Sequence, residues 1–141
     1  MSVIGVLALQ GGYAAHSKAL EALGHEVVEM RYAEQFEEIE GLVFPGGESS
    51  TNILLMERFG LWQPLVDFYK TGKPVFTTCA GLILVSAEVL NPEQKSFGWI
   101  DVTVERNGWG RQLDSFQATA DDGVTPLLFI RAPKITRVGA G

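Results

Sequence analysis

Cysteine, histidine and positive charge are all scarce in this chain of 141 residues. Cys79 is the only cysteine, so no internal disulfide can form, which is compatible with a reducing, cytoplasmic setting. The two histidines, His16 and His25, belong to no Cys/His cluster. A structural zinc site is therefore not expected, and no cofactor is implied. Lys and Arg number 11 against 17 Asp and Glu, a net charge of −6. A phosphate-binding surface for nucleic acid is excluded on that balance. The uncharged run at residues 74–87 is too short and too rich in threonine to span a bilayer. The start, Met1-Ser2-Val3-Ile4-Gly5, lacks the basic opening of a signal peptide. What remains is 46% hydrophobic, enough to build one core, with no repeat, linker or second domain in view.

The chain is organised around Val75-Phe76-Thr77-Thr78-Cys79-Ala80-Gly81-Leu82-Ile83-Leu84. Its β-branched and aromatic start reads as a buried strand, and its apolar end reads as a helix. A strand turning sharply into a helix through a nucleophile is the nucleophile-elbow arrangement. The turn lifts the side chain out of the sheet, and the free N–H groups of the new helix favour an anionic sulfur. A lone cysteine in an apolar run is also, commonly, a small buried hydrophobe, and this stretch alone leaves both readings open.

Around that elbow the order reads β-α-β-β-α-α-β-α. Residues 3–9 are a continuous apolar run, as in a strand covered on both faces. Gln10-Gly11-Gly12 ends it. Residues 13–23 carry Ala15, Ala19, Leu20, Ala22 and Leu23 at helical spacing, closed by Gly24. Strands follow at 25–30 and 42–44, separated by an irregular acidic segment. Pro45-Gly46-Gly47-Glu48-Ser49-Ser50-Thr51 comes next, two glycines for close backbone approach and Ser/Thr to cap a helix over 52–59. A further helix spans 61–69. After Ala87 a polar loop precedes alternating or apolar strands at 98–104, 115–120, 127–131 and an edge strand at 134–138. The pattern predicts an α/β fold: one doubly wound, mostly parallel sheet flanked by helices, with some antiparallel strands in the C-terminal half. Ligands of such sheets bind beyond the carboxyl ends of the strands, where Gln10, Gly46-Gly47 and Cys79 all fall.

Several segments together carry a resemblance. They are Leu7-Ala8-Leu9-Gln10-Gly11, Pro45-Gly46-Gly47-Glu48-Ser49, Thr78-Cys79-Ala80-Gly81-Leu82-Ile83-Leu84, Asp101-Val102-Thr103-Val104, Arg106-Asn107, Gly110-Arg111-Gln112 with Asp114-Ser115-Phe116, and Ile130-Arg131-Ala132-Pro133. In that order, along nearly the whole chain, the sequence resembles the glutaminase subunit of pyridoxal 5′-phosphate synthase, a class I (triad) glutamine amidotransferase with a flavodoxin-like fold. The resemblance implies that Cys79 attacks the carboxamide of L-glutamine and forms a γ-glutamyl thioester. It implies an oxyanion hole from the N–H groups of Gly47 and Ala80, with Gln10 beside that loop. Gln10 also reads as a plain polar residue at a strand end. For glutamine itself the resemblance implies contacts with Gly47, Glu48, Ser49, Arg106, Ile130 and Arg131. Glu48 and Ser49 would meet the amino group, and the two arginines the carboxylate. Without it, either arginine reads as a surface charge. The implied partner is a synthase barrel subunit that receives the ammonia and combines it with a pentose phosphate and a triose phosphate. No nucleic acid and no membrane are implied.

The sequence also departs from that pattern. The family's catalytic base is a histidine, followed two residues later by a glutamate, on a later strand. No such segment precedes Gly141, so the 141 residues read as one amidotransferase domain without its C-terminal strand and helix, and as a poor hydrolase alone. His16, on the first helix, reads as a partner-facing or structural residue, and His25 as a solvated one. Thr77 stands where the family usually has glycine, and Tyr13-Ala14-Ala15 replaces a more charged stretch. Two other readings stay open: a cysteine-elbow hydrolase for another amide or an aldehyde, and a non-catalytic or regulatory chain of the same fold.

Overall fold

A computed structural model of the chain describes residues 1–110 and 115–140. It comprises two compact units, Met1–Leu84 and Val85–Gly141.

The first unit is an α/β layer structure. Strands β1 (Val3–Leu7), β2 (Glu26–Met30), β3 (Gly41–Phe44) and β4 (Val75–Thr77) form one sheet in the order β2-β1-β3-β4. All three pairings are parallel, with Gly5 opposite both Val28 and Leu42, and Val43 opposite Phe76. Parallel neighbours cannot be joined by a tight turn, so each strand returns through a crossover. Helix α1 (Tyr13–Ala22) links β1 to β2 in one direction along the sheet. Helices α2 (Ser49–Arg58) and α3 (Trp62–Lys70) link β3 to β4 in the other. With right-handed crossovers, the two directions place these helices on opposite faces. The sheet is thus doubly wound, and β3, covered on both sides, has every residue buried. Val6, Leu7, Met30, Phe44, Met56, Leu61 and Leu65 form the packed interior of this layer.

Three details differ from the sequence-based expectation. Helix α1 is present, but its inward face is Tyr13, His16, Ser17 and Leu20, while Ala15, Ala19, Ala22 and Leu23 face solvent. The small apolar residues follow helical spacing equally well on the wrong side, and only the packing against β1 and β2 chooses between stripes. Helix α2 begins at Ser49, three residues earlier than expected, and its cap is Glu48 rather than a hydroxyl residue. Strand β4 is not buried throughout: Phe76 is 60% exposed, because β4 is the outermost strand of this sheet among the described residues.

The elbow helix α4 (Ala80–Val85) runs directly into β5 (Ser86–Leu90), a strand the apolar run had concealed. In the second unit β5 pairs in parallel with β6 (Ile100–Glu105), which pairs antiparallel with the edge strand β9 (Lys134–Val138). A separate antiparallel hairpin joins β7 (Phe116–Thr119) to β8 (Pro126–Phe129). Its turn is held by Asp122, whose carboxylate accepts from the N–H groups of Val124 and Thr125 at 2.9 and 2.8 Å. Trp109 packs on the stacked rings of Phe116 and Phe129, with the Lys134 ammonium 5.2 Å above the indole. These C-terminal strands make two small sheets of their own and do not extend the parallel one among the described residues. The segment Arg111-Gln112-Leu113-Asp114, which carries part of the resemblance, lies outside the described residues. No described helix is long and apolar enough to cross a membrane.

Candidate active site

The strand order fixes where a site can form. The chain leaves β1 toward β2 and later returns to lay β3 on the other side of β1. The loops after β1 and β3 therefore diverge from adjacent strands, which opens a crevice at the carboxyl edge. Gln10-Gly11-Gly12 and Pro45-Gly46-Gly47 occupy those two loops. The loop after β4, next to β3, carries Cys79.

Cys79 has φ +49°, a left-handed backbone conformation that an L residue adopts at a cost of about 1–2 kcal/mol. Its neighbours hold it there. The Thr78 N–H donates to the Phe44 carbonyl at 3.0 Å, and the Thr78 carbonyl accepts from the Gly81 N–H at 2.8 Å. The Cys79 carbonyl accepts from the Leu82 N–H at 3.0 Å, which starts α4. Gly81 lies so near Phe44 that a β-carbon on it would come within 2.9 Å of the Phe44 Cβ. The thiol is exposed, so the reading of Cys79 as a buried hydrophobe is dropped.

The glycine loop closes against the thiol on one side and Gln10 on the other. A β-carbon at Gly46 would stand 3.1 Å from Cys79 Cβ and 3.9 Å from its Sγ, so any side chain there would crowd the sulfur. Gly47 has φ +143°, and a β-carbon on it would collide with the Gln10 carboxamide. That carboxamide is engaged: Gln10 Oε1 accepts from the Glu48 N–H at 2.9 Å. Gly11, at φ +85°, touches the same loop, and the Gly12 N–H donates to the Gly46 carbonyl at 3.2 Å. The N–H groups of Gly47 and Ala80 donate to no acceptor among the described residues. The structure thus brings Gln10, Gly46, Gly47, Cys79 and Ala80 together from three segments.

Glu48 is turned to a structural task. Its carboxylate caps α2, accepting from the Thr51 N–H at 2.9 Å, the Thr51 hydroxyl at 3.1 Å and the Ser50 hydroxyl. Partial burial alone would raise its pKa, but the hydrogen bonds from Ser50 and Thr51 outweigh this and hold it at about 2. A depressed pKa means the carboxylate's contribution is complete above its unfolded value near 4.5 and is lost as pH falls toward 2. Glu48→Gln is therefore expected to be less stable than the parent by about 1 kcal/mol at neutral pH. The gap in urea midpoint should close between pH 4.5 and about 2. A gap that persists unchanged at low pH would refute the capping role. Ser49, beside it, is only 2% exposed at the first turn of α2.

The remaining predicted contacts lie in the second unit. Arg106 follows β6, its N–H donating to the Leu90 carbonyl at 3.0 Å. Ile130 and Arg131 follow β8, and both are exposed. Neither histidine is bonded to Cys79. His25 Nδ1 accepts from the Ser2 N–H at 3.4 Å, while His16 Nε2 lies 3.0 Å from Thr78 Oγ1. That second contact joins residues 62 positions apart, and sequence reasoning missed it. The available signal was the i, i+3, i+4 spacing of Tyr13, His16 and Ser17. No group of His, Cys, Asp and Glu among the described residues could hold a metal ion.

An exposed cysteine on a strained strand-to-helix turn, facing a double-glycine loop at a switch point, is the arrangement used by cysteine-nucleophile α/β enzymes. Comparison with known proteins narrows the class. Residues 6–141 match the SNO glutamine amidotransferase family, and the chain belongs to that family. It is 47% identical to the pyridoxal 5′-phosphate synthase subunit PdxT of Geobacillus sp. strain WCH70, across 99% of this chain and 74% of the relative. It is 46% identical to the PdxT subunit of Deinococcus radiodurans, across 96% of this chain and 74% of that one. A crystal structure of a glutamine amidotransferase superposes with a TM-score of 0.83 at 39% identity, over 98% of this chain and 76% of the other. A Listeria monocytogenes protein described as a putative peptidase E superposes at a TM-score of 0.54 with 18% identity over 62% of this chain, a likeness of fold alone.

Proposed function

We propose that the chain is the glutaminase of a pyridoxal 5′-phosphate synthase. On this reading it hydrolyses L-glutamine to L-glutamate and passes the ammonia to a synthase subunit in the cytoplasm. The observation that carries the proposal is the exposed Cys79 at φ +49° against Gly46, in a member of a glutamine amidotransferase family.

The geometry supports the following chemistry. The thiolate of Cys79 adds to the carboxamide carbon, and the carbonyl oxygen becomes an oxyanion. The free N–H groups of Gly47 and Ala80 are the donors for that charge, and Gln10, bonded to the Glu48 N–H, fixes the loop that presents the first of them. The C–N bond breaks as the nitrogen takes a proton and leaves as ammonia. Water then attacks the thioester, releasing glutamate and the thiol. The family pattern, rather than the geometry, assigns the substrate carboxylate to Arg106 and Arg131, with Ile130, and the amino group to Glu48 and Ser49. Ammonia in bulk water is lost to protonation and dilution, which favours delivery to a docked synthase subunit over free release.

The diazoketone analogue of glutamine tests the assignment. It should alkylate Cys79, with complete protection by millimolar glutamine, as read by mass spectrometry of the labelled peptide. Labelling that glutamine leaves unprotected would assign Cys79 to another substrate. A second reading, a non-catalytic or regulatory member of the family, is supported by one observation: neither histidine is bonded to Cys79. On that reading the chain is labelled and protected, yet releases no glutamate even with the synthase subunit present.

A further inference from the structure

We propose that His16 is a positioning residue for Cys79, acting from helix α1 through the side chain of Thr78. The proposal extends the glutaminase reading to a residue it had not used, and only its kinetic arm rests on that reading. Thr78 is the last residue before the left-handed turn at Cys79 and is held on three sides. Its N–H donates to the Phe44 carbonyl at 3.0 Å, its carbonyl accepts from Gly81 at 2.8 Å, and its hydroxyl meets His16 Nε2 at 3.0 Å. The first two bonds come from the sheet and from the elbow's own helix. The third alone comes from a different layer of the fold. The His16 ring also meets Phe76 edge-on, 6.5 Å between centroids, so it grips β4 on either side of Thr77.

The placement of His16 has a further consequence. Helix α1 starts at Tyr13, directly after the loop whose Gln10 and Gly12 hold the Glu48 N–H and the Gly46 carbonyl. One short stretch, residues 10–16, therefore fastens the glycine loop at one end and the elbow at the other. The distance between Gly46 and Cys79 depends on both attachments. A backbone conformation that L residues avoid persists only where its surroundings over-determine it, and the hydroxyl of Thr78 is one of those surroundings. Valine, close to threonine in shape, puts a methyl group where the hydroxyl stood and so deletes the bond to His16.

The test is the rate constant for alkylation of Cys79 by iodoacetamide in the 141-residue chain. Iodoacetamide does not need the glutamine site. His16→Ala and Thr78→Val should each slow alkylation roughly fivefold, the weight of one neutral hydrogen bond. The double variant should be no slower than either single, because both remove the same bond. Thr78→Ser, which keeps the hydroxyl, should retain the parent rate. In glutamate release with the synthase subunit, Thr78→Val should lower kcat and leave KM unchanged. Single variants that alkylate at the parent rate or faster would overturn the proposal, as would losses that multiply in the double variant. If His16→Ala does not fold, Thr78→Val and Thr78→Ser still decide the matter. Failure of glutamine to protect Cys79 from the diazoketone would sink the glutaminase assignment and leave this result standing.

Discussion

Cys79→Ala, assayed with the synthase subunit, is expected to abolish whatever glutamate release the parent shows, because a nucleophile acts with its partners as a unit. No other described residue can stand in, because the chain has no second cysteine. Full activity in this variant would end the thioester mechanism. The substitution has a second readout in stability. Position 79 sits at φ +49°, so alanine there keeps the backbone strain while glycine relieves it. Cys79→Gly should be about 1 kcal/mol more stable than Cys79→Ala, although both are inactive. Thermal or urea unfolding measures the difference. Equal stability would mean that the turn carries no strain at this position.

Gly11→Ala should produce the largest loss of stability of any single methyl added to the site. The residue has φ +85°, and the new β-carbon would collide with the Gly46 carbonyl oxygen and lie 2.8 Å from Gly47 Cα. Both obstacles are backbone, so neither can swing aside as a side chain does. A left-handed alanine costs about 1–2 kcal/mol, and forced overpacking adds about 1–3, a sum of roughly 2–5 kcal/mol. The displaced loop carries the Gly47 N–H, so glutamine protection of Cys79 should weaken as well. Gly12→Ala, one residue on, is the control. Nothing lies within 4 Å of its would-be β-carbon, and it should stay within about 0.5 kcal/mol of the parent. If the two variants prove equally stable, the contact between the first and third strand loops is not what holds the site.

The sequence made the alternation of strands and helices readable because buried parallel strands are unbroken apolar runs, as in residues 3–9 and 42–44. The three site loops followed from that alternation, since each lies past a strand end. Other features depend on choices that local pattern does not encode. Which stripe of α1 turns inward is decided by the sheet it packs on, so the helical spacing of Ala15 and Ala19 does not show that the stripe of His16 and Ser17 is the one that faces the sheet. Capping of α2 by Glu48 was hidden because Ser49, Ser50 and Thr51 offered three ordinary caps beside it. Strand β5 was hidden because the uncharged run passes from the helix into Ser86 and Ala87 without a break and Glu88 then interrupts the strand's own apolar pattern. Phe76 read as interior because an outermost strand has the same composition as a central one.

The order β2-β1-β3-β4 means that the nucleophile and the loops around it are brought together by pairings between distant parts of the chain, Val6 with Val43 and Val43 with Phe76. Such pairings form late, after the entropy of closing long loops has been overcome. Until all three strands are aligned, position 79 is an ordinary thiol on a flexible backbone, with no turn to hold it and no glycine loop beside it. The chemistry of this sulfur is therefore a natural clock for the assembly of the sheet, and pulse-alkylation during refolding should register the moment at which the final strand is in place.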